Sequence, residues 1–397
     1  MSTRERLRVI SIGLDPTIAL VDPLAGSRGD SVRRQEEYAD LAASYTAIVK
    51  TPRASCYQPR RWGNGHAILP TLSRTAWLFP IDAFRLAAQM HQARGTELVV
   101  TQDPFLAGLA GYWLKKRFGM PLCVQVHNDM IGCEWWLRES PVNRLMEPFG
   151  VWLIRRADTV QVVSRTIRER LTARGLDPMR AWNIMSGAGI DCQQFRAADG
   201  ASLRRQLLGE MSSIVLFMGR LVKQKDLPTL LQAASLVIRE RPDTLFVLVG
   251  DGEEAPTLQR LRHALQIDAN VALLRGVGPN EAPAFFAACD VFAMSSLYEG
   301  KARALVEAAC AAKPIVTTDV SGADEVVVDG KTGFLVPVRD PGALASRILW
   351  LLSNLEEARE MGRRGQELAC ERYDRRRNLQ EVVRMWEATA ACRTRSR

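Results

Sequence analysis

The sequence has no stretch near the roughly 18 uninterrupted apolar residues that a membrane-spanning helix needs. Its start, MSTRERLRVISIGL, places charge where a signal peptide needs a longer apolar region, so an untagged cytoplasmic protein is expected. No C-x-x-C occurs. The eight cysteines (Cys56, Cys123, Cys133, Cys192, Cys289, Cys310, Cys370 and Cys392) are scattered, which argues against a zinc knuckle or a dithiol redox pair. They read as small buried hydrophobes in a reducing compartment. Helix-turn-helix, zinc-finger and RNA-binding aromatic signatures are missing, so no nucleic-acid partner is expected. Short internal repeats and low-complexity segments are missing as well.

What is present is ordinary globular material. The 397 residues are 47% hydrophobic and 24% charged, which argues against disorder, collagen and coiled coil, and the length suits two or three domains. The net charge of +9 is uneven. Residues 1 to 200 carry 26 Lys and Arg against 19 Asp and Glu, residues 201 to 362 carry 17 against 20, and the last 35 carry 10 against 5. Basic clusters at Arg60-Arg61, Lys115-Lys116-Arg117 and Arg155-Arg156 share the first half with seven of the nine tryptophans. Basic residues mixed with tryptophan fit an anionic membrane surface or a lipid-linked molecule at one, and fit equally a solvated basic face over ordinary core tryptophans.

Short β-branched runs alternate with longer amphipathic stretches, as βαβ units do. Strands are expected at 7–13, 46–50, 97–102, 121–127 and 159–164, and again at 213–221, 244–252, 271–276, 290–296 and 313–319. The fold class is therefore α/β, with two tandem domains built on parallel sheets flanked by helices. The expected divisions are 1–195, 200–370 and a C-terminal helix over 371–397, with the seam near GAGIDCQQFRAADGAS (187–202).

Ligands of open parallel sheets bind at the carboxyl ends of the strands, so the turns after the strands of the second domain matter most. In GRLVKQKD, Gly219 permits close backbone approach, and Arg220 with Lys225 offers two cations suited to a diphosphate or to surface ion pairing. VGDGEE sets Gly250 and Gly252 around Asp251 in a tight turn. SSLYEGKARALVEAACAAKPIV places Glu299 in a turn and Glu307 eight residues later inside a helix, whose N-terminal N–H groups suit an anion. Both acids also fit plain helix-end and helix-surface roles. DGKTGFLV (329–336) reads as a glycine-bounded loop after a helix beginning near Gly322. A nucleoside diphosphate carrying a hydroxyl-rich group would satisfy all four turns.

In their order and spacing these segments, over about residues 213 to 340, resemble the family 4 glycosyltransferases, retaining enzymes of GT-B fold with two facing Rossmann-like doubly wound domains and the donor in the cleft. The resemblance rests on GRLVKQK, VGDGEE, the E-x7-E pair in EGKARALVE, EAACAAKPIVTTDVSG and DGKTGFLV. It implies a nucleotide-sugar donor (UDP- or GDP-sugar), with Arg220 and Lys225 on the diphosphate, Glu307 on the ribose and Glu299 on the sugar. It further implies Gly219 and Gly250 beside the nucleotide, Arg275 toward the base, and the amides of Lys301, Ala302, Arg303 and Ala304 over the phosphates. His127 of VQVHND matches the histidine near the reacting sugar, with a core histidine as the plain alternative. Gly26 and Arg28 of GSRGDS and Asp129 match the loops toward donor phosphate and acceptor. Departures from the pattern are Lys301-Ala302 after Glu-Gly, Asp226 in place of glycine, and a linker without the usual asparagine.

No D-x-D occurs, so no metal and no further cofactor is expected. The expected function is retaining, metal-independent transfer to a glycan or lipid-linked acceptor in cell-surface polysaccharide or glycolipid biosynthesis, with peripheral docking at the inner face of the membrane. The alternatives are an epimerase or phosphorylase on the same fold, and a non-catalytic basic binding protein.

Overall fold

The computed structural model describes residues 6–20, 29–54, 56–63, 65–185 and 189–392. The chain divides into two compact units: one takes in the chain up to Ala188 and again from Arg376 onward, the other is Gly189–Arg375. The sequence places these divisions at 195/200 and 370/371.

The first unit holds an eight-stranded sheet: β1 (Arg8–Gly13), β2 (Ser44–Val49), β3 (Arg60–Trp62), β4 (His66–Pro70), β5 (Leu98–Thr101), β6 (Leu122–Val126), β7 (Thr159–Val162) and β8 (Ala181–Asn183), in the order β3-β4-β2-β1-β5-β6-β7-β8. All neighbours are parallel except β3, which runs antiparallel to β4 at the edge, so the expected all-parallel sheet is corrected there. Strand residues alternate between two apolar layers, because successive side chains point to opposite faces. Ile10, Ile12, Ile48, Val99, Leu122 and Val124 pack with Phe79, Ala83, Ala87, Ala110 and Leu114 of helices Phe79–Arg94 and Leu106–Phe118. Val9, Tyr45, Val49, Leu98, Val100 and Cys123 pack on the other side with Val382, Met385 and Trp386 of the last helix, Arg375–Ala391. Trp386 stacks on Tyr45 at 6.4 Å and lies 5.9 Å from Tyr38. The hydroxyls of Thr389 and Thr159 are hydrogen-bonded at 2.6 Å. The last helix is thus part of the first unit's core, although its residues lie far from that sheet in sequence.

The second unit is wholly parallel: β9 (Ser213–Met218), β10 (Thr244–Val249), β11 (Val271–Leu274), β12 (Val291–Met294), β13 (Ile315–Thr318) and β14 (Gly333–Val336), in the order β11-β10-β9-β12-β13-β14. Counted within the unit, this is the doubly wound order 3-2-1-4-5-6, whose switch point lies between β9 and β12. Two expectations are corrected here. DGKTGFLV is no loop, since its last four residues form β14 beside β13. No helix begins near Gly322: residues 321–326 are turns, and Gly322 has a φ of +76°, outside helical geometry. Among the described residues no helix is long and apolar enough to cross a membrane.

Because Trp386 is buried against the rings of Tyr38 and Tyr45, Trp386→Ala should destabilise the first unit by about 3–5 kcal/mol, measured by denaturant unfolding. Loss of less than 1 kcal/mol would show that the last helix adds little to that core.

Candidate functional site

The loops at the switch point are stitched together by their own backbone. After β9, the Gly219 N–H donates to Val249 O at 3.0 Å and the Leu221 N–H to Asp251 O at 2.9 Å. The approach is possible because Gly250 has no side chain: a Cβ there would lie 1.8 Å from Gly219 O. Farther on, Asp251 Oδ2 accepts the Gly276 N–H at 3.2 Å, which ties the turn after β10 to the one after β11.

On the other side of the switch point, Ser295 Oγ donates to the carbonyls of Lys225 (2.9 Å) and Asp226 (3.0 Å), Gln224 Nε2 donates to Tyr298 O (2.8 Å), and the Leu297 N–H donates to Gln224 O (2.9 Å). Asp226 itself is left-handed, with φ +44°. That conformation accounts physically for the glycine usual there, and aspartate is among the few side chains that tolerate it. Its carboxylate accepts the Thr229 hydroxyl at 2.8 Å in the first turn of helix Leu227–Glu240.

At the centre of this seam the Lys225 ammonium is ion-paired with the Glu299 carboxylate, and Ser296 Oγ donates to the same Glu299 oxygen at 2.7 Å. The Glu299 side chain is buried, Lys225 is mostly covered with 13% of its side chain exposed, and Ser296 is fully buried. Lys225 therefore answers Glu299 as well as any anion that enters.

Arg220 and Arg275, by contrast, stand exposed at the ends of β9 and β11, and neither forms an ion pair or side-chain hydrogen bond among the described residues. Helix Arg303–Cys310 starts with Ala302 as its N-cap and no side chain capping it, leaving Arg303 and Ala304 in an uncapped first turn. On that helix Arg303 Nε holds Glu307 Oε1 at 2.8 Å.

Lys301 departs from a phosphate-facing cation. Its ammonium is buried against Glu325 (3.0 Å) and 5.0 Å from the Tyr373 ring centre, and burial pulls its pKa below the ordinary lysine value. Whatever Lys301 gives a ligand must come from its backbone. The second unit thus brings Gly219, Arg220, Lys225, Gly250, Glu299, Ala302 and the start of helix Arg303–Cys310 to one sheet edge, while turning the Lys301 side chain away.

In the first unit, His127 follows β6 and its Nε2 lies 3.1 Å from Gln125 Oε1. Gln125 Nε2 donates to Gln161 Oε1 on β7 at 2.6 Å, and Gln161 Nε2 donates to Ile184 O at 3.3 Å. A carbonyl can only accept, so it orients both amides and requires His127 Nε2 to be the protonated nitrogen. Asp129 is buried and ion-paired with Arg170. Gly26 and Arg28 lie outside the described residues.

Sequence reasoning passed over Ser295, Ser296, Gln224, Gln125 and Gln161. The serines sit inside the SSLYEG segment itself; the glutamines carry no local signal. It also passed over Asp103, which follows β5 and accepts the N–H groups of Phe105 (2.7 Å) and Ala107 (3.2 Å). Burial outweighs those bonds and pushes its carboxyl up to about 6.

Residues 201–368 match the family described as Glycosyl transferases group 1, and residues 29–182 match the Glycosyl transferase 4-like domain. The two matches together take in most of the chain, which belongs to the family 4 glycosyltransferases, and the solved structures below share its GT-B fold. A GDP-mannose-dependent alpha-(1-6)-phosphatidylinositol monomannoside mannosyltransferase of Mycolicibacterium smegmatis is 33% identical over 227 residues, 55% of this chain and 59% of that relative. The alpha-D-kanosaminyltransferase of Streptomyces kanamyceticus is 26% identical over 271 residues, 66% of this chain and 69% of the relative. Among solved structures, sucrose-phosphate synthase from Thermosynechococcus elongatus shares the fold with a TM-score of 0.82 at 19% identity, covering 97% of this chain and all of that one. Anabaena Alr3699/HepE, solved in complex with UDP, shares it at 0.74 and 20% identity, covering 95% of this chain and 99% of that one.

Removing Lys225 strands the buried Glu299 carboxylate, so Lys225→Ala should cost the second unit about 3–5 kcal/mol, whereas Arg220→Ala should stay within about 0.5 kcal/mol of wild type. Denaturant unfolding checks both, and equal losses would show that the Lys225–Glu299 pair is not structural. Asp103 titrates from an ordinary unfolded value near 3.8 to about 6 when folded, so the neutral acid is the form the fold prefers. Stability relative to Asp103→Asn should accordingly fall as pH rises from 4 to 6, by up to roughly 3 kcal/mol, and then level off. Parallel stability–pH curves for the two proteins would contradict this.

Proposed function

We propose that the protein moves a hexosyl group from a UDP- or GDP-sugar to a glycan or lipid-linked acceptor, with retention at the anomeric carbon and without a metal, in the building of a surface polysaccharide or glycolipid. The observation that carries the reading is the meeting of Arg220, the Lys225–Glu299 pair and the uncapped start of helix Arg303–Cys310 at the switch point of the second sheet. As the bond from the anomeric carbon to the diphosphate oxygen breaks, positive charge grows on the sugar ring and negative charge on the departing phosphate. Arg220, Lys225 and the helix N–H groups stabilise the phosphate charge in place of a metal. The acceptor hydroxyl forms the new bond on the same face, and its proton goes to the departing phosphate. Glu307 takes the ribose hydroxyls, Arg275 lies toward the base, and Glu299 orients the sugar. By the family pattern His127 acts near the reacting sugar, and Asp129 belongs to the acceptor side.

A lipid-linked acceptor is favoured by the mannosyltransferase relative, whose name specifies a phosphatidylinositol monomannoside. It is favoured also by the first unit's surface: Trp77 is 69% exposed, with Leu72, Leu78 and Ile81 exposed around it and Arg53 and Arg74 close in the fold or chain. Tryptophan and aliphatic side chains beside arginine suit an anionic headgroup layer.

Transfer assays with UDP- and GDP-sugars in the presence of a chelator should give product with the donor's anomeric configuration by NMR. An inverted product, or activity abolished by the chelator and restored by a divalent cation, would overturn the mechanism. Epimerised nucleotide sugar formed without acceptor would replace transfer by isomerisation. Co-sedimentation with anionic liposomes at low salt should fall at least several-fold in Trp77→Ala, and no wild-type co-sedimentation would remove the membrane element.

A further inference from the structure

The cysteines that look scattered in the sequence are not all scattered in space. Cys192, Cys310 and Cys370 place their Sγ atoms within 4.8 Å of one another, although 118 and 60 residues separate them along the chain. Each comes from a different helix: Cys192 opens Cys192–Arg196, Cys310 closes Arg303–Cys310, and Cys370 lies in the last turn of Leu355–Arg372.

The convergence is held from several sides. Gly362 lets the Leu355–Arg372 helix run against the turn after Cys310: a Cβ there would lie 2.1 Å from Ala312 O. Gln366 Nε2 then donates to Cys310 O at 2.7 Å. The segment leading into Cys192 is fixed by the Ile190 N–H, which donates to Tyr373 O at 3.2 Å, and by the bridge between Ile190 and Asp374. Cys310 is fully buried and Cys192 nearly so, while Cys370 is half-buried and offers a way in.

We propose that these three sulfurs form a structural site for a thiophilic d10 cation, bound as a three-thiolate complex with its fourth position open on the Cys370 side. The donor set decides the class of ion. Three sulfurs with no carboxylate among them suit zinc, cadmium or cuprous ions and not magnesium or calcium. A zinc–sulfur bond of about 2.3 Å in tetrahedral geometry sets sulfurs about 3.8 Å apart, a contraction of about an ångström at most from the widest spacing here. Binding releases the thiol protons and changes no oxidation state. The ion would clasp the segment entering the second unit, at Cys192, to its last helices, at Cys370. It would also anchor the end of the helix whose first turn serves the proposed donor site, three residues beyond Glu307. The site stands apart from the transfer chemistry, so failure of either proposal leaves the other in place.

The test uses the full chain, reduced and stripped with chelator. Zinc titrated against a chromophoric competitor should bind at one equivalent, and cadmium should give an ultraviolet thiolate charge-transfer band of three-sulfur intensity. The melting temperature should rise by several degrees with zinc. Cys310→Ser should weaken binding at least about 100-fold. Cys370→Ser, at a half-buried position that tolerates the change more readily, should do the same, and Cys56→Ser should bind as wild type does. Absence of the charge-transfer band, binding that persists in both Cys310→Ser and Cys370→Ser, or a disulfide joining two of the three in the metal-free protein as isolated would each overturn the proposal.

Discussion

The second unit depends on the close approach of the chain segments that leave β9, β10 and β12. Strands of a parallel sheet sit about 4.8 Å apart, but their exits diverge unless something gathers them. Here the bare α-carbon of Gly250 admits the carbonyl of Gly219, Ser295 spans the carbonyls of Lys225 and Asp226, and the pairing of Lys225 with the buried Glu299 closes the seam from the side chains. Buried charge is costly unless it is paired and hydrogen-bonded, and Ser296 supplies the further bond to Glu299. The result is a sheet edge with a fixed interior and two exposed arginines, Arg220 and Arg275, at its rim. That division separates what holds the edge in shape from what is left to meet an anion.

The two units solve the same packing problem differently. In the second, every sheet neighbour is parallel and the strands are short apolar runs, largely buried except at the β11 edge. In the first, one face of the sheet is closed by a helix from the far end of the chain, and Trp386, Met385 and Val382 complete a layer begun by Val9 and Tyr45. The first unit therefore cannot be formed from its N-terminal stretch alone with both layers intact.

The alternation of β-branched runs and amphipathic stretches makes the α/β class legible, and the family motifs fall at the sheet edge where Arg220, Lys225 and Glu299 meet. Strand β3, three residues with two arginines, has too little apolar content to stand out, and β14 was hidden in a glycine-bounded segment read for its turn. The family pattern sets Lys301 in the phosphate-binding turn, but the carboxylate that takes its side chain, Glu325, lies 24 residues on, beyond any spacing rule. Gln125 and Gln161 face each other only because β6 and β7 pair in register. The cysteine trio escaped for the same reason: its members meet through helix packing, and local spacing does not encode that.

The central claim is that this edge binds a nucleoside diphosphate through side-chain cations and a helix end. Titration calorimetry of UDP and GDP, with chelator present, tests it most directly on wild type and Arg220→Ala. The account predicts one-to-one binding of one of the two, weakened about 10- to 100-fold in the variant, with the fold unchanged. Binding of neither nucleotide, or equal affinity in both proteins, would contradict it.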